Sequence, residues 1–217
     1  MDSRGTGVLV LPDNRGLSGF YEQLTVRLAG QGYPALALDY FGRTAGVGYQ
    51  DRGADFDHMS HLARLTRDGL YADFAAGIAH LRGPVGTRTT VSLGFCLGGR
   101  FAFLTAAPSF GLAGVIGLYG MPDTLFGAPG PTQLVGELTA PVLGLFGGAD
   151  EGIPPELVAG FEAALAGAGL PHGIVTYPGA PHGFFELDRP EYAVAQADAW
   201  RRILAFIDEP ENVTKAV

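Results

Sequence analysis

Short apolar runs alternate with longer amphipathic stretches from one end of this chain to the other, and that alternation restricts the fold more than any other feature. "GVLVLP" (7–12) has the pattern of a buried strand, and "SGFYEQLTVRLAGQG" (18–32) repeats Phe20, Leu24 and Leu28 at helical spacing. Ser18 is placed to cap that helix, and Gly30 or Gly32 to end it. Strand "YPALALDY" (33–40) follows, then a polar, glycine-rich loop to about residue 56 and a helical stretch ending near "YADFAAGIAHLR" (71–82). The series continues with strand "TTVSLGF" (89–95), helix "LGGRFAFLTAA" (97–107), and strands "AGVIGLYG" (113–120) and "PVLGLFG" (141–147). A helix over 154–168, strand "GIVTYP" (173–178) and a helix from about Glu191 to Ile207 complete it. Strands that read as continuous apolar runs are buried on both faces, and their alternation with helices demands parallel pairing. The pattern predicts one α/β domain over 1–217, a doubly wound, mostly parallel sheet with helices on both faces. Reactive groups in such a sheet sit on loops beyond the carboxyl ends of the strands.

At 217 residues, with 47% hydrophobic and 17% charged residues, the chain has the size and composition of one soluble globule. The formal net charge is -8 with no basic stretch, and a surface of that sign repels phosphate backbones, so nucleic acid is not an expected partner. No apolar run approaches the ~20 residues of a membrane helix. "MDSRGTG" lacks the apolar segment of a secretory signal, and a single cysteine cannot form an internal disulfide. A cytoplasmic protein, monomer or homodimer, is the expectation.

That cysteine, Cys96, lies in Gly94-Phe95-Cys96-Leu97-Gly98, which fits G-x-nucleophile-x-G at a strand-to-helix turn. A nucleophile on so sharp a turn adopts a strained backbone, and residues two positions away must lack bulk for the chains to pass. The helix that starts at Leu97 aims its free N–H groups and positive dipole end at the sulfur, which favours the thiolate. The Leu97 N–H is also placed to stabilise an oxyanion. Free cysteine is nevertheless among the most buried residue types, so a small core residue in a tight turn is the competing reading. A phosphate cradle is excluded by spacing, which is neither G-x-G-x-x-G nor G-x-x-x-x-G-K-[ST].

Two later segments tip the balance. "LFGGADEGIPPE" (145–156) puts Asp150 just past a strand, and "YPGAPHGFFE" (177–186) puts His182 in the loop after the last strand. Nucleophile, acid, histidine is the chain order this kind of sheet uses. The imidazole then takes the thiol proton and returns it to the leaving group, while the carboxylate fixes its tautomer. Asp123, after strand 113–120, competes for the role of acid. Asp39 ends an earlier strand and serves equally well as a loop cap. His58, His61 and His80 belong to the helical middle region, and His172 stands at the wrong end of the last strand.

With "GFCLGG" (94–99), "QGYPALALDYFGR" (31–43), "GLYG" (117–120), "GGADEGIPPE" (147–156) and "YPGAPHGF" (177–184), the chain resembles the dienelactone hydrolase family of the α/β-hydrolase fold over nearly its whole length. The resemblance implies a triad of Cys96, Asp150 and His182 that hydrolyses a small carboxylic ester or lactone through a thioester, with no metal or organic cofactor. It implies that Asn14 supplies a second oxyanion N–H beside that of Leu97. It also implies that Asp13, one methylene shorter than the family's glutamate, gates the resting thiol. Arg15, Tyr119, Phe184 and Phe185 are the substrate-binding candidates. The best-known members grip a substrate carboxylate with arginines, one shortly after the histidine; here "HGFFE" puts Glu186 there, which should repel an anionic lactone. Two other functions remain open to the sequence: a catalytically silent fold that binds a ligand, and a thiol redox sensor, although no resolving thiol stands nearby.

Overall fold

Six strands, β1 (Thr6–Leu11), β2 (Ala35–Ala37), β3 (Thr89–Phe95), β4 (Gly114–Leu118), β5 (Val142–Gly147) and β6 (His172–Tyr177), form a single sheet in the computed structural model. Every pairing is parallel, in the order β2-β1-β3-β4-β5-β6. The structure describes residues 5–50, 52–53 and 55–213; residues 1–4, on which the expectation of no leader partly rests, lie outside them.

The apolar runs become strands because both of their faces are covered. Val8 to Leu11, Val91, Leu93, Phe95, Val115, Ile116, Leu118, Leu143 and Leu145 are all wholly buried. The described residues hold seven α-helices, α1 (Gly19–Gly30), α2 (Gly42–Ala45), α3 (His58–Leu62), α4 (Arg67–Arg82), α5 (Leu97–Leu104), α6 (Pro155–Gly167) and α7 (Ala193–Asp208), and the longer five supply the cover. Helices α1 and α7 share one face of the sheet, where Arg27 stacks on Trp200 and the Tyr33 hydroxyl, just past α1, donates to Asp208. Helices α4, α5 and α6 share the other, joined by Phe74 against Phe101 and by Phe103 against Phe161. Each such buried aromatic contributes on the order of 2 kcal/mol from apolar burial alone. No helix among the described residues is long and apolar enough to cross a membrane.

Ser18 does precede α1, but its side chain makes no capping bond; the buried face of the helix is Tyr21, Leu24 and Leu28, with Phe20 at its border. Strand β2 is three residues long, shorter than the run 33–40 suggested, because as the edge strand it pairs only with β1. The stretch expected to be loop as far as 56 contains α2. Asp39 anchors this stretch, accepting the Phe41 N–H (3.2 Å) and a two-pronged bond from Arg52 (2.6 and 2.7 Å), so it acts as a loop cap. After β1 the chain runs out to the edge strand and crosses back to β3. The loops that leave β1 and β3 therefore diverge, and a crevice opens between them at the carboxyl ends of the strands.

Candidate active site

Cys96 stands where β3 becomes α5, at φ 53° and ψ -114°, a left-handed conformation that L-residues adopt only under constraint. The constraint is the tightness of the turn. A Cβ on Gly94 would lie 1.9 Å from the Gly98 carbonyl oxygen, and one on Gly98 would lie 2.0 Å from the Leu11 carbonyl oxygen. Only glycine at both positions lets α5 start immediately after β3 and press against the end of β1. The Cys96 N–H donates to the Leu118 carbonyl (3.0 Å), which fastens the turn to the neighbouring strand. Leu97 heads α5, so its N–H has no acceptor within the helix, and the residue lines the crevice.

The loops after β5 and β6 are clasped together by Ala149 N–H to the Ala180 carbonyl (2.9 Å) and Gly148 N–H to the Tyr177 carbonyl (2.8 Å). The clasp brings Asp150 and His182 together, and the imidazole Nδ1 lies 2.7 Å from Asp150 Oδ2. The Asp150 side chain is only 2% exposed, and its Oδ1 accepts the Gly152 N–H at 3.0 Å. A buried carboxylate with both oxygens occupied has one orientation, and it imposes that orientation on the ring. His182 and Cys96 line the same cavity. Burial disfavours charge on the imidazole, but the bond to Asp150 and the negative charge of a Cys96 thiolate outweigh it and push the His182 pKa up to about 10. The ring can thus hold a proton beside the sulfur and hand it to a departing group. Asp123 is elsewhere: its Oδ1 accepts from the Thr124 N–H (2.6 Å) and from Gln133.

A cavity of about 240 Å³ opens on this arrangement, with Asn14, Leu97, Cys96, Tyr119 and His182 on its floor. Its wall is Met59 and Leu62 of α3, Met121, Leu125 and Phe126 of the loop after β4, and Ile153. Phe184 and Phe185, read from sequence as substrate-binding, are 0% and 8% exposed and belong to the core, Phe184 against Tyr119 and Tyr177 and Phe185 against Phe95. They fail to reach the cavity because Tyr119 lies between it and Phe184. Arg15 is exposed and lines a neighbouring hollow with Tyr49, Arg52 and His58. Asp13 accepts the Arg15 N–H (2.8 Å) and bonds the Gly16 backbone, the contacts of a loop cap; burial raises its pKa against those bonds.

Sequence reasoning missed the wall. Met59 and Leu62 are spaced three apart in "DHMSHL", a helical signal overshadowed there by the two histidines. Arg100 was visible as a lone cation in the apolar helix "LGGRFAFL". It is 4% exposed and donates to the carbonyls of Met121 (3.1 Å), Asp123, Ala128 (3.0 Å) and Pro129 (2.9 Å), pinning the loop that carries half the wall.

The model of the dienelactone hydrolase family matches residues 1–210. A carboxymethylenebutenolidase from Rhodococcus opacus is 32% identical over 98% of this chain and 84% of its own length. A "putative carboxymethylenebutenolidase" from Salmonella typhimurium is 34% identical, over 92% of this chain and 75% of its own. Among solved structures, that of a "putative dienelactone hydrolase" from Klebsiella pneumoniae superposes with a TM-score of 0.81 at 29% identity, covering 93% of this chain and 86% of that one.

Proposed function

The chain belongs to the dienelactone hydrolase family, and from that premise we propose that it hydrolyses small, neutral carboxylic esters or lactones through a thioester on Cys96. The observation that carries the reading is the placing of His182, whose Nδ1 lies 2.7 Å from Asp150 Oδ2 and which lines the same cavity as Cys96.

In this reading the Cys96 sulfur attacks the carbonyl carbon and the carbonyl π pair moves onto oxygen. The N–H groups of Leu97 and Asn14 receive that oxyanion. The tetrahedral adduct collapses, the C–O bond breaks, and His182 delivers its proton to the leaving alkoxide, so alcohol departs and a thioester remains. Water then attacks the thioester carbonyl while His182 takes its proton. Collapse of the second adduct releases the carboxylic acid and returns the sulfur. Asp150 holds the ring throughout, and its charge supports the imidazolium.

Cavity chemistry supports the preference for neutral substrates. Arg100 is the one Lys or Arg among the described residues lining the cavity, and both of its terminal guanidinium nitrogens are spent on backbone carbonyls. Apart from His182, whose ring is held by Asp150, an incoming carboxylate would find no cation to replace the hydration it loses, which costs several kcal/mol. Turnover of short p-nitrophenyl esters and simple lactones, before and after thiol alkylation, tests the reading. It holds if neutral esters turn over and alkylation of Cys96 stops them, and falls if the alkylated protein keeps its rate.

A further inference from the structure

Behind the floor of the cavity a second polar cluster links the loops that the reaction uses. Glu186, four residues beyond His182, turns inward rather than out to water. Its Oε1 accepts the Tyr119 hydroxyl at 2.8 Å and its Oε2 the Tyr21 hydroxyl at 3.4 Å. The Tyr21 oxygen in turn accepts the Asp13 N–H at 2.9 Å. Tyr119 is wholly buried, has its own backbone at φ 38°, and lays its ring 5.1 Å from that of His182. Phe95 packs against both tyrosine rings, and Phe185 packs against Phe95. One carboxylate thus joins the His182 loop, through Tyr119, to the end of β4 and, through Tyr21 of α1, to the loop of Asp13 and Asn14.

We propose that Glu186 is a positioning residue: its carboxylate, held by Tyr119 and Tyr21, fixes the His182 loop against the Asp13–Asn14 loop and supports the charge on His182. The role in catalysis rests on the reading of Cys96 and His182 given above. The coupling of the two loops does not.

The chemistry of the cluster makes the strut dependent on its proton. An ionised carboxylate can accept from both tyrosines at once. A protonated one must donate to one of them, and that hydroxyl loses its acceptor. The groups facing Glu186 are Tyr119 at the end of β4, Tyr21 of α1, Asp13 of the loop after β1, and His182 on its own loop. Burial and the negative charge of Asp13 favour the protonated form; the two tyrosine bonds and His182 oppose them, and the balance pushes the Glu186 pKa up to about 7. The strut therefore tightens as pH rises through neutrality.

The test follows amide resonances of Asp13 and Asn14 and ring resonances of His182 between pH 5 and 9 in the whole protein, with and without Glu186→Gln. In the wild type they should move together with a midpoint near 7, distinct from the ionisation of His182 itself, and the movement should vanish in Glu186→Gln. Tyr119→Phe, which removes one donor, should carry the midpoint upward. Alongside, the ratio of wild-type to Glu186→Gln kcat/KM should grow by roughly tenfold across the same range, the effect of about one pKa unit of interaction. A midpoint that persists in Glu186→Gln, or none near 7, overturns the proposal; so does a kcat/KM ratio that stays constant with pH, the signature of a packing role alone. If the protein proves to have no Cys96-dependent hydrolysis, the resonance titration still decides whether Glu186 couples the two loops.

Discussion

Cys96 tolerates its positive φ because everything around it is fastened: Gly94 and Gly98 leave no room for a Cβ, and the Leu118 carbonyl holds its N–H. Gly98→Ala forces a methyl group into the Leu11 carbonyl 2.0 Å away, and should lower the unfolding free energy by ~3 kcal/mol or more in chemical denaturation. Cys96→Ala adds no clash, so the same assay should find the fold intact while hydrolysis falls by several orders of magnitude. The acid is the other residue-level test. Asp150→Asn presents an amide to Nδ1 and disturbs the tautomer, so kcat should drop by roughly a thousandfold or more. Asp123→Asn, which serves Thr124 and Gln133, should change kcat by less than about threefold. At this scale the sequence was informative where spacing is dictated by geometry, as in G-x-C-x-G. It misled at Phe184 and Phe185, because nothing local says that Tyr119, 65 residues earlier, separates Phe184 from the cavity.

The elements that position the site differ in what holds them. The strand ends are fixed by the sheet ladder. The loop after β4 instead hangs on one side chain, Arg100, which meets four of its carbonyls. Arg100→Met takes the guanidinium donor from those carbonyls, of which only that of Ala128 keeps another, the Leu125 N–H, and should cost about 3 kcal/mol of stability while raising KM more than it lowers kcat. Helix α3 and the tip of that loop face each other with Met59 and Phe126, 56% and 95% exposed, flexible or projecting apolar groups at the mouth. If they hold the acyl chain, p-nitrophenyl butyrate should exceed the acetate in kcat/KM by on the order of tenfold, two buried methylenes' worth, and Phe126→Ala should narrow the gap. The strands and long helices were legible because burial on both faces, or on one, imposes a period. Helix α2 and the pinned loop were not, because they are made by long-range bonds, Arg52 to Asp39 and Arg100 to distant carbonyls, that leave no periodic trace.

Over the whole molecule, the switch in strand order between β1 and β3 gathers the carboxyl-end loops of β1, β3, β4, β5 and β6 around one crevice. A net charge of -8 and a cavity whose one arginine among the described residues is spent on backbone carbonyls bias it against anions. Neutral lactones should therefore surpass anionic dienelactone analogues in kcat/KM, with the gap narrowing as salt screens the surface charge. The central claim is the thioester, and rapid acid quench of a turnover mixture followed by peptide mapping tests it most directly. An acyl group should be found on the peptide containing Cys96 during the first turnover, released by hydroxylamine and absent from Cys96→Ala. Steady hydrolysis with no acyl group on Cys96, or with one on another side chain, would contradict it.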